Sequence, residues 1–209
     1  MTAITATFED FKLRAEAVGA QVEKVPNKSA ALDFIAGVLL REGIADAPGA
    51  RAVWAHCPAI SSADREQLTA RVPGIQFDVT RDNAAQAIAG ISQMDWALAD
   101  TGTVVQIADT VDQRLVSTLP ALHIALVSTA SILPNLPALL SRVDPRKTGY
   151  LAFITGPSRT ADIERVLTIG VHGPARLVIV MVDELPSNKI APEKTTPDKI
   201  ASEKMAVSQ

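Results

Sequence analysis

Residues 150–182 read YLAFITGPSRTADIERVLTIGVHGPARLVIVMV: an apolar run, a turn, a helix-like stretch and a second apolar run. The pattern predicts a βαβ unit, with strands over 150–155 and 176–182 and a helix from Asp162 to Ile169. Gly156 permits a tight turn, Pro157 fixes the approach, and Ser158 or Thr160 can cap the helix. Asp162 and Glu164 fall in its first turn, where carboxylates complement the helix dipole. Gly170 or Gly173 suits a left-handed C-cap, and Pro174 prevents continuation.

Working outward, the same alternation runs along much of the chain. TFEDFKLRAEAV (7–18) suggests an amphipathic helix. Leu32, Ile35, Ala36, Leu39 and Leu40 mark a second, stopped by Gly43. RAVWA (51–55) reads as a strand, Ser61 starts a polar helix to about Arg71, and IQFDV (75–79) reads as the next strand. Ala84, Ala87, Ile88 and Ile91 form a further helical stripe. DWALADTGTVVQIAD (95–109) predicts two strands joined at Thr-Gly-Thr, and RLVSTLP (114–120) a short strand ended by Pro120. LHIALV (122–127) predicts a buried strand, followed by a helix near 136–143. Repeated βα units with one hairpin-like interruption predict an α/β fold, a three-layer α/β/α sandwich with a largely parallel sheet. The expected organisation is helices in 1–49 packing on the domain, an α/β domain over 50–183, and a polar, flexible tail over 184–209.

Bulk properties narrow the function. With 209 residues and 47% hydrophobic residues the chain suits one domain with a full core. Aromatics make up only 4%, so Ala, Val, Leu and Ile must build that core. A net charge of −3 without a basic block gives no support to nucleic-acid binding. Cys57 is the one cysteine, too few for a disulfide or a cysteine-ligated cluster within the chain. The opening MTAITATFEDFKLRAE lacks the pattern of a secretory signal, and no apolar run reaches membrane-spanning length. These features predict a cytoplasmic protein without membrane insertion.

Two readings of GPSRTADIE stay open. It is either a capped helix after a strand or a pocket for a small anion, with Arg159 as clamp and helix amides as donors. The phosphate-loop patterns GxxxxGK[ST] and GxGxxG are absent. A second cluster, Asp100, Thr101, Gly102 and Thr103, is either a hairpin turn or a substrate loop facing Ser158. The candidate binding set is therefore Asp100, Thr101, Gly102, Thr103, Gly156, Ser158, Arg159, Thr160 and Asp162, with His172 as a possible accessory. On a continuous helix His172 would lie about 15 Å from Ser158, which argues against one shared site. His123, inside LHIALV, reads as a hydrogen-bonded core histidine. His56 beside Cys57 shows no metal-ligand spacing, and no metal site is expected. A Ser/His/Asp triad can be drawn, but no GxSxG elbow supports it.

Taken together, ALADTGTVV, LPALHIALV, ITGPSRTADIERVLTIGVHGP and LVIVMVDE resemble the LUD-domain family, nearest to its lactate-utilization C branch, over roughly residues 50–183. The resemblance implies a NagB/RpiA/CoA-transferase-like fold. It also implies a non-redox role in bacterial oxidation of L-lactate to pyruvate beside iron–sulfur partner proteins, which would carry the clusters. No cofactor is then expected in this chain itself. The family supplies no established catalytic residue, so the binding set above is an expectation from this sequence, with a small carboxylate as ligand. The alternatives are a stand-alone enzyme on a small phosphorylated, CoA-linked or folate-like metabolite, and a ligand-free scaffold.

Overall fold

The structure, a computed structural model, describes residues 7–144, 146–160 and 168–185. Helix α1 (Phe8–Ala17) opens on a capping box, in which Thr7 and Asp10 satisfy each other's backbone N–H groups. Strand β1 (Gln21–Asn27) leads into α2 (Lys28–Arg41), capped by the Asn27 side chain. Strand β2 (Arg51–Trp54) precedes α3 (Ser62–Arg71), which carries a Ser61/Asp64 capping box. There follow β3 (Ile75–Gln76), α4 (Arg81–Gln86), β4 (Ala87–Gln93), β5 (Trp96–Leu98), β6 (Thr103–Ile107) and α5 (Val111–Thr118). The remainder comprises β7 (Leu122–Ser128), a 3₁₀ turn at Thr129–Ser131, β8 (Ile132–Leu133), α6 (Leu136–Leu140), β9 (Leu151–Ile154), β10 (Arg159–Thr160), β11 (Thr168–Ile169) and β12 (Arg176–Glu184).

Six strands form one sheet in the order β1-β12-β7-β4-β2-β3, and every neighbouring pair is parallel. All seven residues of β7 are buried, as a central parallel strand covered on both faces requires. Alternation along β7 and β12 sends Ile124, Leu126, Val178 and Val180 to one face, under α2 and α3. Ala125, Val127, Ile179 and Met181 face the other way, onto Phe11 and Ala15 of α1 and Val104 of β6. Val53 of β2 packs on Ala84 of α4 and Val116 of α5 on that same side. These layers establish the α/β fold. Phe11 is fully buried, and its truncation to alanine would cost about 3–5 kcal/mol.

The hairpin-like interruption is a second sheet, β8-β5-β6-β9, in which β6 is antiparallel to both neighbours. The 95–109 segment therefore forms the hairpin read from its sequence.

Several local expectations change. The N-terminal region is not only helical, because β1 extends the parallel sheet beside β12. The stripe Ala87, Ile88, Ile91 is strand β4, entered directly from α4. Residues 114–120 are not a strand; most of them lie in α5, opened by a Thr110/Gln113 capping box. The 75–79 strand shortens to two residues. Finally, β9 pairs antiparallel with β6 instead of joining the parallel sheet, so it does not form a βαβ unit with β12. The last two residues of the expected 162–169 helix are strand. Thr168–Ile169 pairs antiparallel with Arg159–Thr160, while 161–167 and the tail from 186 lie outside the described residues.

Candidate functional site

Arg159 and Thr160 are extended and pair with Thr168–Ile169, and residues 161–163, where the helix start was expected, lie outside the described residues. The Ser158 N–H donates to the Pro174 carbonyl, and the Gly170 N–H donates to the Ser158 carbonyl, so neither amide is free for an anion. The Arg159 guanidinium donates to the carbonyl of Val18, at the C-cap of α1. Arg159, expected as the anion clamp, is therefore engaged in a structural tie to α1.

A cavity of about 260 Å³ nevertheless lies beside this loop. Thr155, Ser158 and His172 line it together with Ser117 and Thr118 at the end of α5. Ile154, Pro157, Pro174 and Leu177 give it an apolar wall. Ser158 and His172 thus share one site, contrary to the distance expected from a continuous helix. The reason is the β10–β11 pairing: an antiparallel return brings 170–174 back beside 156–158, whereas a helix would move away by about 1.5 Å per residue. A Cβ added at Gly173 would stand 3.1 Å from Ser158 Cβ, which shows how closely the two loops meet.

The 101–103 turn reaches the same place through hydroxyls. Thr101 Oγ1 lies 2.8 Å from Thr103 Oγ1, which lies 2.7 Å from Thr155 Oγ1 at the cavity. Gly102 and Gly156 hold both loops against α1. At φ +67° and +72° respectively, each sits in the left-handed region, and a Cβ would approach Ala15 N to 2.2 Å and Val18 O to 2.4 Å. Asp100 is exposed, and its N–H donates to the Pro134 carbonyl. Thr160 is half-buried in β10, and Asp162 lies outside the described residues.

Sequence reasoning missed Thr155, Ser117, Thr118 and Leu177. The last three flank β7 and β12 at their amino ends, so the cavity opens at the end of the parallel sheet opposite to the one where α/β ligands usually bind. The T-V-D-Q capping box at 110–113 was the available signal for α5 and its hydroxyls.

His123 is separate from this set. It is fully buried on β7, with Nε2 2.9 Å from Ser92 Oγ, and Nδ1 has no hydrogen-bond partner. Burial pushes its pKa down to about 4. Cys57 is buried too, and burial pushes its thiol pKa up. Among the described residues no group of three His, Cys, Asp or Glu could hold a metal ion, and no helix is long and apolar enough to cross a membrane.

The LUD domain family model matches residues 8–182, most of the chain and nearly all its described elements. The chain belongs to the LUD domain family. A relative named lactate utilization protein C from Exiguobacterium sp. is 37% identical over 116 residues, covering 53% of this chain and 50% of the relative. A protein of the same name from Macrococcus caseolyticus is 39% identical over 107 residues, covering 48% and 46%. The match thus spans about half the length of these curated relatives. The crystal structure of a DUF162 family protein from Deinococcus radiodurans superposes with a TM-score of 0.58 at 22% identity, covering 83% of this chain and 94% of that one. That likeness speaks for the fold.

Proposed function

We propose that this LUD-domain chain is a non-redox component of a bacterial system that oxidises L-lactate to pyruvate in the cytoplasm beside iron–sulfur partner proteins. The observation that carries the reading is the family match over 8–182 joined to relatives named for lactate utilization. Oxidising lactate to pyruvate releases two electrons and two protons, so an acceptor is needed. One buried cysteine cannot ligate an iron–sulfur cluster in this chain, so the reading gives the electrons to partners. The cavity beside Ser158 and His172 is the place where a small carboxylate would bind. Its described lining contains no lysine or arginine, which disfavours a phosphorylated or CoA-linked ligand carrying several negative charges.

The test is a strain lacking this chain, grown on L-lactate as sole carbon source, with co-purification from the complemented strain. The reading expects loss of growth, rescue by the wild-type gene, and recovery of iron–sulfur proteins with the tagged chain. Undiminished growth and lactate oxidation in the deletion strain would overturn it.

A further inference from the structure

We propose that the cavity at the amino ends of β7 and β12 is a binding site for a short-chain α-hydroxy acid, with donors and acceptors divided between its two sides. The proposal deepens the lactate reading and rests on it for the choice of acid, though not for the location of the site. On the α5 side, Ser117 Oγ donates to the carbonyls of Gln113 and Arg114, and Thr118 Oγ1 donates to that of Arg114 at 2.7 Å. Their hydrogens are committed to the helix, so they present lone pairs to the cavity. That side accepts, and it suits a ligand hydroxyl.

The opposite side donates. Ser158 has no side-chain hydrogen bond among the described residues, so its hydroxyl hydrogen can turn to a ligand, and an N–H of His172 lies on the same cavity. Thr155 joins them when the hydroxyl chain runs from Thr101 through Thr103, because Thr155 then accepts from Thr103 and its own hydrogen is free. Three donors on one side suit a carboxylate. The apolar wall of Ile154, Pro157 and Leu177 suits a short alkyl group. An α-hydroxy acid carries all three features on adjacent carbons, and a described lining of donors without lysine or arginine suits one carboxylate better than a phosphate dianion.

Isothermal titration of the full chain with L-lactate, glycolate, L-malate, propionate and inorganic phosphate tests this. Saturable L-lactate binding is expected, with propionate, which lacks the hydroxyl, about ten-fold weaker, as one lost hydrogen bond predicts. Thr155→Val and Ser158→Ala each weaken lactate about ten-fold. Thr118→Val brings lactate and propionate to near equality, an outcome that a merely structural role would not produce. All three variants are checked for wild-type thermal stability. Absence of saturable binding by L-lactate, glycolate and L-malate overturns the site, as does equal affinity for lactate and propionate in the wild type. Tight phosphate binding overturns it as well. Glycolate or L-malate binding through the same residues with lactate inert keeps the site and removes the lactate reading. Loss of lactate growth on gene deletion without any such binding does the reverse.

Discussion

Acid should weaken this fold through His123, and the size of the effect follows from its burial. His123 pairs in register with Gly90 of β4 and Leu177 of β12, at the centre of the parallel sheet. Ser92 Oγ contacts Nε2 at 2.9 Å and Met94 Sδ at 3.9 Å, so Ser92 can accept from the imidazole and point its own hydrogen at sulfur. Nδ1 then keeps a bare lone pair. Protonation would place a second N–H and a positive charge where no partner exists. Hence the folded pKa is about 4, against an ordinary value of 6.5.

Because the folded pKa lies below the unfolded one, the unfolded chain binds more protons between the two values, and stability falls as pH drops through that window. The full loss is about 3 kcal/mol, of which about 2 kcal/mol is gone by pH 5. Against a typical 5–15 kcal/mol this is a large share. Urea unfolding of wild type and His123→Leu at pH 7, 6 and 5 measures it. The variant will be less stable at pH 7, because it loses the Ser92 contact, yet its stability will fall about 2 kcal/mol less between pH 7 and pH 5. The difference cancels His56, His172 and the carboxylates, which are common to both proteins. Parallel curves, or a His123 imidazole that titrates near its ordinary value in the folded protein by NMR, would refute the argument.

Gly102→Ala combines a left-handed backbone with a Cβ 2.2 Å from Ala15 N, and is expected to cost at least about 2 kcal/mol in thermal unfolding. Gly156→Ala, aimed at Val18 O, behaves alike. Arg159→Ala frees the Val18 carbonyl and costs about 1 kcal/mol, read as a small drop in Tm. The Cys57 thiol, buried and with its pKa raised, will react with a thiol reagent only as denaturant unfolds the chain; prompt labelling in native buffer would contradict its placement.

The parts of the fold legible in the sequence are those whose cause is local. LHIALV is apolar at nearly every position because β7 is covered on both faces, and Ser61 with Asp64 announces α3 three residues apart. The failures have non-local causes. Ala84, Ala87, Ile88 and Ile91 satisfy helical spacing, yet Ala87 onward is drawn into the sheet by pairing with β2 and β7. YLAFIT reads as a strand in either sheet, and only its partner β6 decides which. The site shows the same division. Ser158 was visible as a polar residue in a glycine-proline turn, whereas its meeting with His172 depends on strand pairing between residues eight and ten apart. Arg159 misleads because its chemistry suits an anion, while its position spends it on α1.

The location of the cavity can be understood from what fills the other end of the sheet. In open parallel sheets the carboxyl ends of strands usually hold the ligand. Here β4 runs directly into the β5–β6 hairpin, and protein polar groups hydrogen-bond across the junction. Gln93 Oε1 accepts from Ala59 N–H, the Gln93 carbonyl accepts from Gln106 Nε2 at 2.8 Å, and Asp95 Oδ2 accepts from Ile107 N–H. Gln93, Gln106 and Asp95 thus tie the end of β4 to the Ala59 loop and to β6, while the cavity beside Ser158 lies at the opposite end of the sheet. Gln106 distinguishes the two ends experimentally. Its Nε2 makes one hydrogen bond and its Oε1 has no partner, so Gln106→Leu exchanges a lost bond for a removed unsatisfied acceptor, and stability should change by no more than about 1 kcal/mol. If the working site is the cavity beside Ser158, that variant will support growth on L-lactate, while Thr155→Val combined with Ser158→Ala will not. Loss of lactate growth in a stably folded Gln106→Leu protein, with growth retained in the double variant, would move the site to the carboxyl end.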